Sequence, residues 1–136
     1  MNKSYNLLYV EDDPGSRKVM QGLVQSLPYH VTLTIFNDSL DFLSRVQSLH
    51  PQPDVILLDI HVQPHNGFEM LQMLRLHSSY AYKMIVALTA SVMNEEVKKL
   101  KEAGFDGVLA KPLKFHEFPD RMQRILAGER QWIVIR

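Results

Sequence analysis

The sequence predicts an α/β fold, a doubly wound five-stranded parallel sheet covered by helices on both faces. Two observations carry this. Apolar runs of strand length alternate with segments of helical period, five times over. The runs are continuously apolar, as in strands buried on both faces, and do not alternate with polar residues. Right-handed crossovers between such strands stack the chain into three layers.

Each element follows in order. Asn6 to Val10 (NLLYV) reads as the first strand and ends at Glu11-Asp12-Asp13. Gly15 to Leu27 has apolar residues at 19, 20, 23, 24 and 27, which is helical spacing, and Pro28 closes it. Val31 to Phe36, rich in β-branched residues, is the second strand. Asn37-Asp38-Ser39 is expected to cap a second helix with Leu40, Leu43 and Val46 on one face. Pro51 and Pro53 break the chain before the third strand, Val55 to Leu58, and Gly67 to Leu76 is the third helix. Met84 to Leu88 is the fourth strand. Asn94 to Ala103 is a helix with Val97 and Leu100 inward, stopped by Gly104. Val108 to Ala110 and His116 to Leu126 make the fifth pair.

Composition narrows the function classes. The 136 residues fit one domain, large enough to bury roughly two-thirds of its unfolded surface without staples. There is no cysteine, which excludes disulfides, thiolate metal sites and a cysteine nucleophile. Lys+Arg and Asp+Glu are both 15, so no dedicated nucleic-acid surface is expected. The first apolar run meets acidic residues too soon for a signal peptide or membrane span. A cytoplasmic location with no membrane contact is the expectation.

In open parallel sheets the functional crevice lies outside the carboxyl ends of the strands. Strand one ends in Glu11, Asp12 and Asp13; strand three in Asp59; strand four in Thr89, Ala90 and Ser91; strand five in Lys111-Pro112. Each has an ordinary reading by itself, as a helix cap, a strand end or a solvated turn. Together they form a set suited to phosphoryl transfer. Clustered carboxylates need a cation, and hard oxygen ligands in an incomplete shell suit Mg²⁺. Asp59 would be the nucleophile, with Lys111 and the Thr89 hydroxyl on the phosphoryl oxygens and small Ala90 leaving room. No Walker loop, dinucleotide glycine fingerprint or G-x-S-x-G elbow is present, so the donor is expected to be another protein or a small phosphodonor.

Over residues 5 to 127 the chain resembles the receiver domain of two-component response regulators, of the stand-alone, chemotaxis-regulator type, in the motifs LLYVEDDPGSR, VILLDI, VALTAS and LAKP. The resemblance implies a flavodoxin-like (βα)5 sandwich, with residues 1–128 as the receiver and 129–136 as a C-terminal extension. It implies a Mg²⁺ site, with Mn²⁺ as an alternative, from Glu11, Asp12, Asp59 and the backbone carbonyl of His61. Glu11 and Asp12 are taken as the acidic pair because Arg17 fixes the register. It also implies Asp59 as phosphoacceptor, Thr89 as switch hydroxyl, Lys111 as the conserved-type lysine before a cis bond to Pro112, and His61 and Ser91 as tuning positions. The protein would catalyse its own phosphorylation and dephosphorylation without being a conventional enzyme. A sensor histidine kinase or histidine phosphotransferase would be the donor. A downstream protein would meet the face of helix four, strand five and helix five, and a homodimer stays open.

Some residues depart from the pattern. The switch aromatic that the resemblance implies three residues before the lysine is Val108, which leaves open whether aromatic-coupled switching operates. After Asp59, Val62 and Gln63 stand where Met-Pro is usual and proline comes one later, at Pro64; Asn66 stands where Asp is common. His61 and His65 have metal-ligand spacing for a helix, but Pro64 makes the segment a loop. Gln131 to Ile135 reads as a short strand or extended tail, packed on its own domain or offered to a partner. Two other readings stay open. A degenerate receiver would bind without phosphorylation. A haloacid-dehalogenase-type phosphatase needs a second Asp two residues after the nucleophile, where this chain has His61.

Overall fold

The computed structural model describes residues 3–132. Five parallel strands form one sheet: β1 (Ser4–Val10), β2 (His30–Phe36), β3 (Val55–Asp59), β4 (Met84–Thr89) and β5 (Gly107–Ala110), in the order β2-β1-β3-β4-β5. The helices are α1 (Pro14–Gln25), α2 (Phe42–Gln47), α3 (Gly67–Arg75), α4 (Asn94–Ala103) and α5 (Phe118–Leu126). The predicted doubly wound sandwich is therefore the observed architecture.

Period-two alternation along each strand sorts the core into two layers. Leu8, Val10, Ile56, Leu58, Ile85, Ala87 and Val108 face Phe42, Val46, Met70, Leu71, Leu74, Val97 and Leu100 of α2, α3 and α4. Leu7, Tyr9, Val55, Leu57, Val86, Leu88 and Leu109 face Met20, Leu23, Val24, Phe118, Met122 and Ile125 of α1 and α5. All five β3 residues are buried, as a central strand covered on both sides requires. The register pairs Val10 with Phe36 and Leu58, Asp59 with Leu88, and Thr89 with Ala110, so the carboxyl ends of the strands lie side by side.

Two helix starts differ from the sequence expectation. Helix α2 begins at Phe42 after Asp41, whose backbone is left-handed (φ 48°) and whose side chain makes no capping bond. Leu40 is exposed outside the helix, and Ser39 is buried. The Ser39 hydroxyl donates to the His65 carbonyl and accepts from the His65 amide, both at 2.7 Å, so it ties down the β3–α3 loop and caps nothing. Helix α5 begins at Phe118, two residues later than expected; Pro119 lacks an N–H and stands in its first turn. A 3-10 turn at Ser78–Tyr80 was not anticipated. It is held by Arg75, whose guanidinium donates to the carbonyls of Tyr80, Ala81, Lys83 and Gly104 and to Asp106.

After α5 the chain returns to the outer edge of β5. The Val108 amide donates to the Gln131 carbonyl at 2.8 Å, and Trp132 packs on the α4 side of the core with the Lys101 ammonium 5.1 Å from its ring centre. For Gln131 and Trp132 the own-domain packing holds. The rest of the expected Gln131–Ile135 strand lies outside the described residues.

Candidate functional site

The aligned strand ends bring Glu11, Asp12, Asp59, Thr89 and Lys111 to one edge. Glu11 follows β1 and its amide donates to the Phe36 carbonyl, extending the ladder by one residue and drawing its side chain inward. Asp59 is the last residue of β3 and Thr89 the last of β4. Glu11 is 1% exposed, Asp59 3% and Thr89 5%, whereas Asp12 is exposed. Lys111, just past β5, is held by its amide on the Thr89 carbonyl at 3.0 Å.

Charge dictates the next layer. A buried carboxylate is costly unless paired and hydrogen-bonded. The Lys111 ammonium lies 2.7 Å from Glu11 Oε1 and 3.0 Å from Asp59 Oδ1. The Tyr9 hydroxyl donates to Glu11 Oε1 at 2.7 Å, and the His61 amide donates to Asp59 Oδ2 at 3.2 Å. The Arg17 guanidinium donates to the Glu11 carbonyl at 3.1 Å, which fastens the strand end to α1.

The proton affinities follow. Burial raises the Asp59 carboxyl above its ordinary value, and Glu11 adds to this; the Lys111 bond opposes them without prevailing. For Lys111, burial works against the ammonium, but the bonds to Glu11 and Asp59 outweigh it and the group is raised. Burial, and then the bond to Glu11, raise the Tyr9 phenol above its ordinary value.

Among the described residues one acidic cluster could hold a metal. Glu11, Asp12 and Asp59 each offer an oxygen, all within 4.8 Å of one another. The donor set fits a hard divalent cation. It is all carboxylate, two members are buried, and exposed Asp12 opens the cluster to solvent. Asp13 stands apart. Its Oδ2 accepts the amide and hydroxyl of Ser16 as the cap of α1, bonds that lower its pKa. That geometry agrees with Glu11 and Asp12 as the acidic pair.

The remaining candidates are spread around this centre. His61, Ala90 and Ser91 are exposed at its rim, and Ser91 donates its amide to Thr89 Oγ1 at 3.1 Å. A cleft of about 300 Å³ lined by Ile60, His61, Phe68, Thr89, Ser91 and Lys99 adjoins it. Val108 is fully buried under α4 and away from this edge. The peptides before Pro64 and Pro112 are cis, the second as expected. The imidazoles of His61 and His65 are not part of the side-chain cluster that could hold a metal among the described residues. In the sequence Tyr9 reads only as a residue of an apolar strand. The signal was present, since residues two apart in a strand share a face and a phenol two before a buried Glu can reach it.

Comparison with known proteins shows the family and the fold. Residues 7–123 match the family described as the response regulator receiver domain. The chain is 26% identical over 133 residues to the probable C4-dicarboxylate response regulator DctR of Priestia megaterium, covering 97% of this chain and 54% of that protein, so it spans about half of that relative's length. It is 25% identical over 126 residues to the polar-differentiation response regulator DivK of Brucella ovis, covering 93% and 98%. In structure it is similar to the receiver domain of sensor histidine kinase PA1611 from Pseudomonas aeruginosa, solved with a magnesium ion in its active-site cleft. That match has a TM-score of 0.78 at 25% identity and covers 92% and 99%.

Proposed function

Since the chain belongs to the family of response regulator receiver domains, we propose that Asp59 accepts a phosphoryl group from a phosphohistidine on a sensor kinase or phosphotransferase. The resulting acyl phosphate would change what the protein binds. The observation that carries this is the convergence of Lys111 on Asp59 at the edge where Glu11 and Asp12 meet it. In the transfer a carboxylate oxygen of Asp59 attacks phosphorus, the P–N bond to the donor imidazole breaks, and an acyl P–O bond forms. Lys111 is placed to follow the phosphoryl oxygens, and Thr89 to donate its hydroxyl to one of them. The His61 amide already donates to Asp59 and orients the carboxylate.

Glu11, Asp12 and Asp59, joined by the His61 carbonyl, would hold Mg²⁺ or Mn²⁺, which when bound offsets charge on the transferring group. No described helix is long and apolar enough to cross a membrane, and we place the reaction in the cytoplasm. The receiver unit is taken as residues 1–128 with 129–136 as its extension. The downstream protein is assigned to the face of α4, β5 and α5, where Val108 replaces a rotating aromatic.

The test is intact mass spectrometry after incubation with Mg²⁺ and acetyl phosphate, beside Asp59→Asn. Gain of one phosphoryl group in the wild type alone is expected. No gain under conditions that label other receivers would point instead to a phosphorylation-independent binding module.

A further inference from the structure

Glu11 and Asp59 are both buried, but they are held differently. Glu11 Oε1 accepts two bonds of equal length, from the Tyr9 hydroxyl and the Lys111 ammonium, each at 2.7 Å. Its Oε2 accepts only the Asp13 amide, at 3.3 Å. Tyr9 and Glu11 stand two residues apart, so their side chains leave the chain on the same face of the sheet.

The two donors to Oε1 are unlike. Lys111 is charged, sits on a flexible four-carbon stem, and its side chain is 21% exposed. Tyr9 is neutral, is fixed within β1, and is 1% exposed. A divalent cation shared by Glu11, Asp12 and Asp59 repels the ammonium by Coulomb's law and leaves the phenol undisturbed. An incoming phosphoryl group draws the same ammonium away. In either state Oε1 would be a buried acceptor without its charged donor, and leaving such an acceptor unsatisfied is costly.

We propose that Tyr9 is a positioning residue for the acidic trio. Its hydroxyl keeps Glu11 satisfied and oriented when Lys111 is displaced, so cation affinity depends on a side chain outside the trio. The inference rests on the reading of Glu11, Asp12 and Asp59 as the Mg²⁺ site. It also assigns Lys111 a covering role. In the cation-free protein Lys111 satisfies Oε1 even without Tyr9, whereas in the loaded protein it does not.

Tyr9→Phe keeps the buried ring and removes only the hydroxyl. MgCl₂ is titrated calorimetrically into the wild type, Tyr9→Phe, Lys111→Met and the double variant. The Mg²⁺ dependence of phosphorylation by acetyl phosphate is followed in the first two. Tyr9→Phe is expected to weaken Mg²⁺ binding by about tenfold, the scale of losing a hydrogen-bond partner behind a metal ligand. Its half-saturating Mg²⁺ should rise equally, with the rate at saturating Mg²⁺ unchanged. In the Lys111→Met background the same substitution should leave affinity unchanged, because Oε1 then lacks its second donor both with and without the cation. Equal affinity of Tyr9→Phe and wild type, or an undiminished effect in Lys111→Met, would overturn the role of Tyr9. A wild type that binds no Mg²⁺ would overturn the site itself.

Discussion

The Lys111 ammonium lies 3.0 Å from Asp59 Oδ1, across 52 residues of chain. Among the described residues it is also the only cation paired with the Glu11 carboxylate, so one lysine balances two buried carboxylates. Removing one partner of a buried pair leaves uncompensated charge. Lys111→Met is therefore expected to lower the unfolding free energy by about 3 kcal/mol in Mg²⁺-free buffer, the low end of the usual range because Lys111 keeps partial contact with solvent. Urea unfolding measures this, and millimolar Mg²⁺ should restore part of the loss.

Asp59 gives a pH dependence of the opposite sign to an ordinary paired carboxylate. Burial raises its folded-state pKa above the ordinary 3.8. Between those two values the folded protein binds more protons than the unfolded chain, so stability falls as pH rises through that window. Above it the ionised, buried Asp59 is a standing penalty. Asp59→Asn should then melt at a higher temperature than the wild type at pH 7 without Mg²⁺. The gap should narrow as pH falls toward the carboxylate range. A melting temperature below the wild type's at neutral pH would show that the Lys111 bond outweighs burial.

Gly67 sets how closely α3 approaches the site. Its amide donates to the Ile60 carbonyl at 2.9 Å, and a Cβ there would lie 2.9 Å from Ile60 Cα and 3.1 Å from the Asp59 carbonyl oxygen. These are backbone atoms and cannot swing aside. Gly67→Ala is expected to cost about 2 kcal/mol by overpacking. It should also slow phosphorylation, since the relief moves Asp59, the proposed acceptor. Thermal melts and intact mass time courses on the variant check the two effects separately.

Much of this was legible in the sequence because two periods dominate it. Continuous apolar runs such as Val55 to Leu58 gave the buried strands, and the residues that ended them gave the site. What was not legible depended on partners distant along the chain. Asn37 to Ser39 looked like a helix cap, but Ser39 is claimed by the loop at His65, 26 residues away, and the helix starts later. The Arg75 staple behind the unforeseen 3-10 turn likewise reaches Gly104 and Asp106, about thirty residues on. Within the site, the roles of Glu11 and Asp13 were separable only by register until the capping bonds from Ser16 to Asp13 were seen. Tyr9 was hidden for a different reason: a tyrosine inside an apolar strand reads by its ring, and its hydroxyl matters only once Glu11 is known to be buried.

The packing of Trp132 has an optical consequence. It is the only tryptophan in the chain, and it sits where the returning segment meets β5, beside Lys101. All indole emission therefore originates at one place, the outer edge of β5, with no second fluorophore of that kind to dilute it. Wavelength and quenching of that single band read the edge directly, in the unlabelled protein and at any Mg²⁺ concentration.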